Sequence, residues 1–196
     1  MESFQVGCSH TLSVEIDPKW KVLEIGGGAN PCPRSNVITN YEQEKNQRGK
    51  PYKVIPSAKM FDNCNVEDIP MFKDKEFDFC LAIQILEHVD DPYKACHEIM
   101  RVSKAGYIEC PAPITEKMLG WPFHKWFVTL DHEDKNKLVF IKKRDRDFSR
   151  LDDFFFDMFY KTNPSQVAFK SVYFKYYDVF LTYLYWNNWF DVEVVR

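Results

Sequence analysis

The stretch Lys21-Val22-Leu23-Glu24-Ile25-Gly26-Gly27-Gly28-Ala29-Asn30 constrains the fold more than any other part of this chain. A short apolar, β-branched run reads as a strand, and it delivers an acid and three glycines to a turn. Glycine permits φ > 0 and lets a ligand approach the backbone, while an acid at a strand's carboxyl end receives cationic or hydroxylated groups. Together these point to a nucleotide-like cofactor. A dinucleotide fold needs G-x-G-x-x-G, whose third glycine opens a helix towards a pyrophosphate. Here Pro31-Cys32-Pro33 occupies that place, and proline restrains its predecessor and lacks an N–H, so no such helix starts. No Gly-Lys-Ser/Thr closes the turn, which excludes a Walker loop.

Strands are expected at about 22–25, 36–39, 53–55 or 58–61, 77–83 and 107–110. Between the last two, Tyr93 to Val102 carries Ala95, Ile99 and Val102 at helical spacing. Strands alternating with helical connections imply a parallel sheet covered on both faces, with ligand at the strands' carboxyl ends. After Pro111-Ala112-Pro113 a short helix is expected up to Gly120, then a hairpin of two apolar runs, 126–130 and 137–141, around a polar turn. This inserted piece, 114–145, reads as a lid or pocket wall. A second hairpin is expected near the end, 177–186 and 189–195, about Asn187-Asn188. The chain divides as one domain, 1–196, with a lead-in over 1–20 and a C-terminal helix and hairpin over 146–196.

Several motifs arrive in one order: Leu23-Glu24-Ile25-Gly26-Gly27-Gly28, Glu67-Asp68-Ile69-Pro70, Leu86-Glu87-His88-Val89-Asp90-Asp91-Pro92, and Glu98-Ile99-Met100-Arg101-Val102 followed by Lys104 and Gly106. In this order, over roughly Lys21 to Pro113, they resemble the class I S-adenosylmethionine-dependent methyltransferases, type 11 group. The resemblance implies an α/β Rossmann-like sandwich with a mostly parallel seven-stranded sheet, an antiparallel last strand, and the inserted hairpin as an addition. It implies S-adenosyl-L-methionine as cofactor and S-adenosyl-L-homocysteine as product. Glu24, Gly26, Gly27 and Gly28 would surround the donor's amino acid part. An acid usually follows strand 2 in the family; this chain has Asn40 there, with Glu42 two residues on. Asn65 replaces the usual adenine-side Asp, and the Val66 amide would serve the ring. Gln84 would close the floor of the site.

Methyl transfer from a sulfonium needs alignment above all, and a base only for a hydroxyl acceptor. His124, within Gly120-Trp121-Pro122-Phe123-His124-Lys125-Trp126, is the leading base candidate, since an imidazole accepts a proton near neutral pH. His88 is a second candidate, and Glu109 would orient the histidine or the acceptor. Some relatives hold Mg²⁺ through Glu-x-x-Glu-His, but Gln84-Ile85-Leu86-Glu87-His88 has an amide at the first carboxylate. Hard cations favour charged oxygens, so Mg²⁺ held through Glu87, His88 and His124 stays an alternative, tied to a metal-assisted RNA-end reaction, rather than the expectation.

The 120–126 segment and the motif order resemble small methyltransferases of surface-glycan assembly, with Trp121, Phe123 and Trp126 stacking on a sugar ring. The expected reaction is O-methylation of a sugar, glycan or similar small hydroxylated acceptor. Alternatives are 2′-O-methylation of an RNA end, using Lys142-Lys143-Arg144, and a non-catalytic cofactor-fold binding protein. A net charge of −3 gives no general attraction for nucleic acid. The aromatics beyond Leu151 read as core or a homodimer face rather than base-stacking platforms. Six cysteines without C-x-x-C pairs suggest buried thiols in a reducing compartment, and Met1 to Val6 lack a secretory pattern. With no stretch of about 20 apolar residues for a membrane span, a cytoplasmic location is expected.

Overall fold

The structure is a computed structural model, and it describes residues 1–5, 13–41, 53–144, 154–155, 157–158 and 164–196. Its centre is a six-stranded sheet. The strands are β3 (Val22–Ile25), β4 (Val37–Thr39), β5 (Lys59–Phe61), β6 (Phe77–Ile83), β7 (Ser103–Pro111) and β10 (Leu181–Asn187), in the order β10-β7-β6-β3-β4-β5. Five run parallel and β10 lies antiparallel along β7, as expected for the last strand. At Gly106 any side chain would collide with the Cys80 carbonyl and the Trp186 indole, so glycine is what lets β6, β7 and β10 close up.

Among the described residues the expected helical wrapping is only partly present. The crossover between β6 and β7 is α1 (Pro92–Val102), started by Asp91 capping the Lys94 N–H and by Pro92 in its first turn. It buries Ala95, Cys96, Ile99 and Val102, the stripe its periodicity announces. The connections β3–β4 and β5–β6 run through turns instead. Pro31 and Pro33 deny the first an amide ladder, and Asn and Asp turns around Pro70 do the same for the second.

Strands therefore cover what helices do not. On one face, α1 packs with a three-stranded sheet formed by β8 (Trp126–Leu130), β9 (Lys137–Lys142) and β11 (Asp191–Val195). The opposite face is covered by the antiparallel pair β1 (Glu2–Gln5) and β2 (Ser13–Ile16), whose Val14 and Ile16 bury against Val22, Phe79, Leu81 and Tyr107. The lead-in is thus part of the core. Burying a large aliphatic side chain contributes about 1.5–3 kcal/mol, so Val14 and Ile16 are a substantial part of that face's stability.

The inserted hairpin forms as expected, β8 against β9. The C-terminal hairpin does not form, and among the described residues the sheet has six strands rather than seven. Asn188 adopts φ 65°, Phe190 is buried against Trp186, and β11 leaves to pair parallel with β9. Anchoring Phe190 in the core turns the chain away before a ladder with β10 can grow. Before β10, α3 (Pro164–Lys175) and α4 (Tyr177–Phe180) supply the expected C-terminal helix, with Tyr173 stacked on Phe180. Among the described residues no helix is long and apolar enough to cross a membrane. Cys32, Cys64, Cys80, Cys96 and Cys110 are free and buried, whereas Cys8 lies outside the described residues.

Candidate active site

The turn after β3 places Gly26 and Gly28 in the left-handed region, φ 69° and 54°, as its glycines foretell. A side chain on Gly26 would collide with Ile85, which closes down on the turn from the segment after β6. Asn40, at the end of β4, is buried: its Oδ1 accepts the Gly28 N–H at 3.1 Å and its Nδ2 donates to Asp62 at 3.2 Å. It ties three strand ends together rather than presenting its amide outward. Asp62, exposed at the end of β5, is the neighbouring carboxylate that the sequence reading passed over. The signal was available in its place directly after a strand. Glu42 lies outside the described residues. Asn65 uses its Oδ1 to accept the Glu67 N–H, an Asx turn, and Val66 is buried beside it.

Glu24 faces inward. Its carboxylate accepts the Cys32 N–H at 2.9 Å and the Ser35 hydroxyl at 2.5 Å, pinning the proline-bearing loop. Burial nevertheless raises its pKa to about 7, against the lowering effect of those two bonds. Because the folded pKa exceeds the unfolded one, the contribution is fully present below about pH 4.5 and is lost as pH rises through 7. At about 1.4 kcal/mol per unit the full effect is on the order of 3 kcal/mol. Glu24→Gln should therefore flatten the fall in unfolding free energy between pH 5 and 8, measured by denaturant titration. Parallel pH profiles for the two proteins would show that the carboxyl is not titrating in the fold.

Gln84, at the carboxyl end of β6, sits at φ 57°, a strained conformation for a non-glycine residue. Its backbone N–H donates to the Glu109 carbonyl at 2.8 Å, and its Nε2 to the Glu109 carboxylate at 3.2 Å. Tyr107 donates its hydroxyl to the other oxygen of Glu109 at 2.7 Å. Glu109 is buried, and desolvation holds its pKa above the usual carboxylate range. It thus orients Gln84, and the two form a closed strand-end pair.

A separate cluster joins the connection after β6 to the one after β7. His124, 5% exposed, is hydrogen-bonded through Nδ1 to Glu116 of α2 (Pro113–Leu119). The other Glu116 oxygen receives Lys143 Nζ at 2.9 Å, and the same ammonium reaches the Trp121 carbonyl at 3.1 Å. Glu116 and Lys143 escaped the sequence reading. Their signal, an acid one turn before a capping glycine and a lysine at a strand's end, looks identical to a solvated surface.

The ring of His88 lies 4.5 Å from that of His124, edge to face, and stacks on Phe123. His88 Nε2 stands 3.6 Å from Glu87 Oε1. Glu87 is 1% exposed, and no N–H or O–H donor from another of the described residues reaches either of its carboxylate oxygens. Desolvation first, then the negative charge of Glu116 and Glu109, pushes its pKa up to about 8, partly offset by its own backbone N–H and by the Cys110 thiol. The backbone binds the two loops to each other, the Lys125 N–H donating to the Glu87 carbonyl at 2.7 Å.

The aromatic wall differs from expectation. Trp126 is core, its indole N–H donating to the Val89 carbonyl at 2.7 Å, so it does not face a ligand. Trp121 lies beside His124 and Phe123 is exposed on His88. Lys143 is buried, so Lys142-Lys143-Arg144 presents no continuous basic strip. A surface cavity of about 320 Å³ is lined by Asp90, Trp126, Lys142 and Arg196, and it includes neither His88, His124, Gln84 nor Glu109.

Residues 32–108 match the family model described as a methyltransferase domain. The fold is the Rossmann-like methyltransferase fold. The match holds Asn40, Asn65, Val66, Gln84 and His88, and leaves Glu24, the glycine turn, Glu109 and His124 outside it. Among solved structures, the YcgJ protein of Bacillus subtilis is similar at 19% identity and TM-score 0.43, covering 54% of this chain and 53% of its own. An S-adenosylmethionine-dependent methyltransferase of Thermotoga maritima is 25% identical with TM-score 0.35, covering 48% of this chain and 45% of its own. One from Methanosarcina mazei is 18% identical with TM-score 0.40, covering 61% of this chain and 70% of its own. The chain thus spans about half the length of the first two. No curated protein matches it.

Proposed function

We propose that this chain is an S-adenosylmethionine-dependent methyltransferase that methylates a hydroxyl of a sugar, a glycan or a similar small acceptor. One observation carries the choice of a hydroxyl: the buried Glu116–His124 pair at the carboxyl side of β6 and β7. Nitrogen nucleophiles with a free lone pair need no such base, whereas an alcohol does. Phe123 and Trp121, beside the two imidazoles, offer apolar faces of the kind that sugar rings pack on.

The strand-end residues fit the donor in part. Left-handed Gly28 offers the turn's backbone to its amino acid portion, Gly26 being covered by Ile85, and Asp62 supplies the two acceptor oxygens that a ribose diol requires, with Asn40 orienting it. When bound, the sulfonium supplies an activated methyl group and a neutral thioether leaving group. His124 removes the acceptor's hydroxyl proton as the new C–O bond replaces the C–S bond. Glu116 fixes the imidazole's orientation and stabilises the charge it acquires. Alignment of acceptor and methyl contributes about 7–11 kcal/mol to such reactions.

Calorimetry with S-adenosylhomocysteine, followed by a tritiated-methyl screen over glycans, nucleotides and RNA, tests the reading. Micromolar binding and label on sugar hydroxyls are expected. Indifference to donor and product at millimolar concentration would leave a binding protein of the same fold, and label confined to RNA would replace the acceptor.

A further inference from the structure

The carboxyl of Glu87 is buried with no N–H or O–H donor from another of the described residues, although such donors normally satisfy buried polar groups. A buried carboxyl in that state either keeps its proton or meets a cation. Two imidazoles converge on the same point: one ligand atom each from Glu87, His88 and His124 lie within 4.8 Å of one another. From these observations we infer that Glu87, His88 and His124 form a binding site for a divalent transition metal ion of the zinc type.

Three features define the class of ion. The donor set is two nitrogens and one oxygen, which suits Zn²⁺, Co²⁺ or Mn²⁺ better than the oxygen-seeking Mg²⁺ and Ca²⁺. Gln84, the side chain that would add an oxygen to a magnesium set, is turned away to Glu109. Finally, the Nδ1 of His124 is already engaged by Glu116, which Lys143 holds in turn. A carboxylate on the far ring nitrogen is the usual support of a metal-bound histidine, fixing its tautomer and leaving Nε2 for the ion.

Around an ion with bonds of about 2.0–2.1 Å, ligand atoms stand roughly 3.4 Å apart in tetrahedral geometry. The Glu87 to His88 separation of 3.6 Å nearly meets this. The other separations reach up to 4.8 Å and would have to shorten on binding, for which His88, 21% exposed, has room to rotate. Three protein ligands leave a fourth position open towards the exposed side of His88, the arrangement of a site that also takes an exogenous oxygen. Metal binding stands independently of the methyltransferase reading. The Nε2 of His124 cannot hold an ion and accept a proton at once, so on the methyltransferase reading His124 acts as base only in the metal-free chain.

The full-length chain, stripped with EDTA and freed of chelator, would be titrated with Zn²⁺ by calorimetry and with Co²⁺ by visible absorption, without donor or acceptor. One equivalent is expected, with ligand-field bands of four- or five-coordinate Co²⁺ and a rise in melting temperature that EDTA reverses. Glu87→Gln and His88→Ala should each weaken binding at least tenfold, and Glu116→Gln by roughly 10–100-fold as an outer partner. His88 is partly exposed, so its variant keeps the fold even if the Glu87 variant does not. Absence of binding at a large excess of Zn²⁺, or binding that survives His88→Ala, would overturn the assignment. Failure of S-adenosylhomocysteine to bind would remove the functional reading and leave the metal result untouched.

Discussion

Replacing Lys143 by Met is expected to destabilise the domain by about 3–5 kcal/mol, the range for removing one partner of a buried ion pair. The side chains of Lys143 and Glu116 are 2% and 0% exposed, so the ammonium is the main compensation for a carboxylate held out of water. With it gone, Glu116 keeps, among the described residues, its hydrogen bond with His124. The double variant Lys143→Met, Glu116→Gln should recover most of the loss, because no net charge is then stranded. Denaturant unfolding of the single and double variants measures both. A single variant within about 1 kcal/mol of the parent would mean that water reaches Glu116 in solution.

His124→Ala should lower kcat by about 10²–10⁴-fold, the usual contribution of a positioned acid or base. Affinity for S-adenosylhomocysteine should be unchanged, since Gly28, Asn40 and Asp62 form a cluster of their own. Glu116→Gln should lower kcat less, because the imidazole remains while its orientation loosens. Exogenous imidazole should restore part of the turnover of His124→Ala. Turnover within threefold of the parent would remove His124 from the mechanism.

The parallel core of the sheet was legible because its strands are continuous apolar runs bounded by turn residues, as in Phe77–Ile83, and because α1 writes its buried stripe at helical spacing. The inserted hairpin was equally legible from its two apolar runs. The path of β11 was not. Val192 and Val194 alternate as well for a ladder with β9 as for one with β10, and burial of Phe190 against Trp186 chooses between them. The covering of the second face by β1 and β2 was also hidden. Nothing local tells a short exposed–buried alternation at 13–16 which partner it will find.

For the site, the sequence named His88, His124, Gln84 and Glu109 as residue types suited to the chemistry, and the fold gathers each near a strand's carboxyl end. It did not foresee that the polar atoms of Asn40 and Trp126 turn to other parts of the chain, and it overlooked Glu116, Lys143 and Asp62. Residue type and spacing determine which elements form and at which end of the sheet the chemistry collects, because strand and helix periodicities are local properties of the backbone. Which charges lose their water, and which partner each then finds, is decided only when segments 8 to 27 residues apart, as for Glu116, close over one another. That is how Glu116 comes to sit between His124 and Lys143 while Glu87 is buried without a donor from another of the described residues.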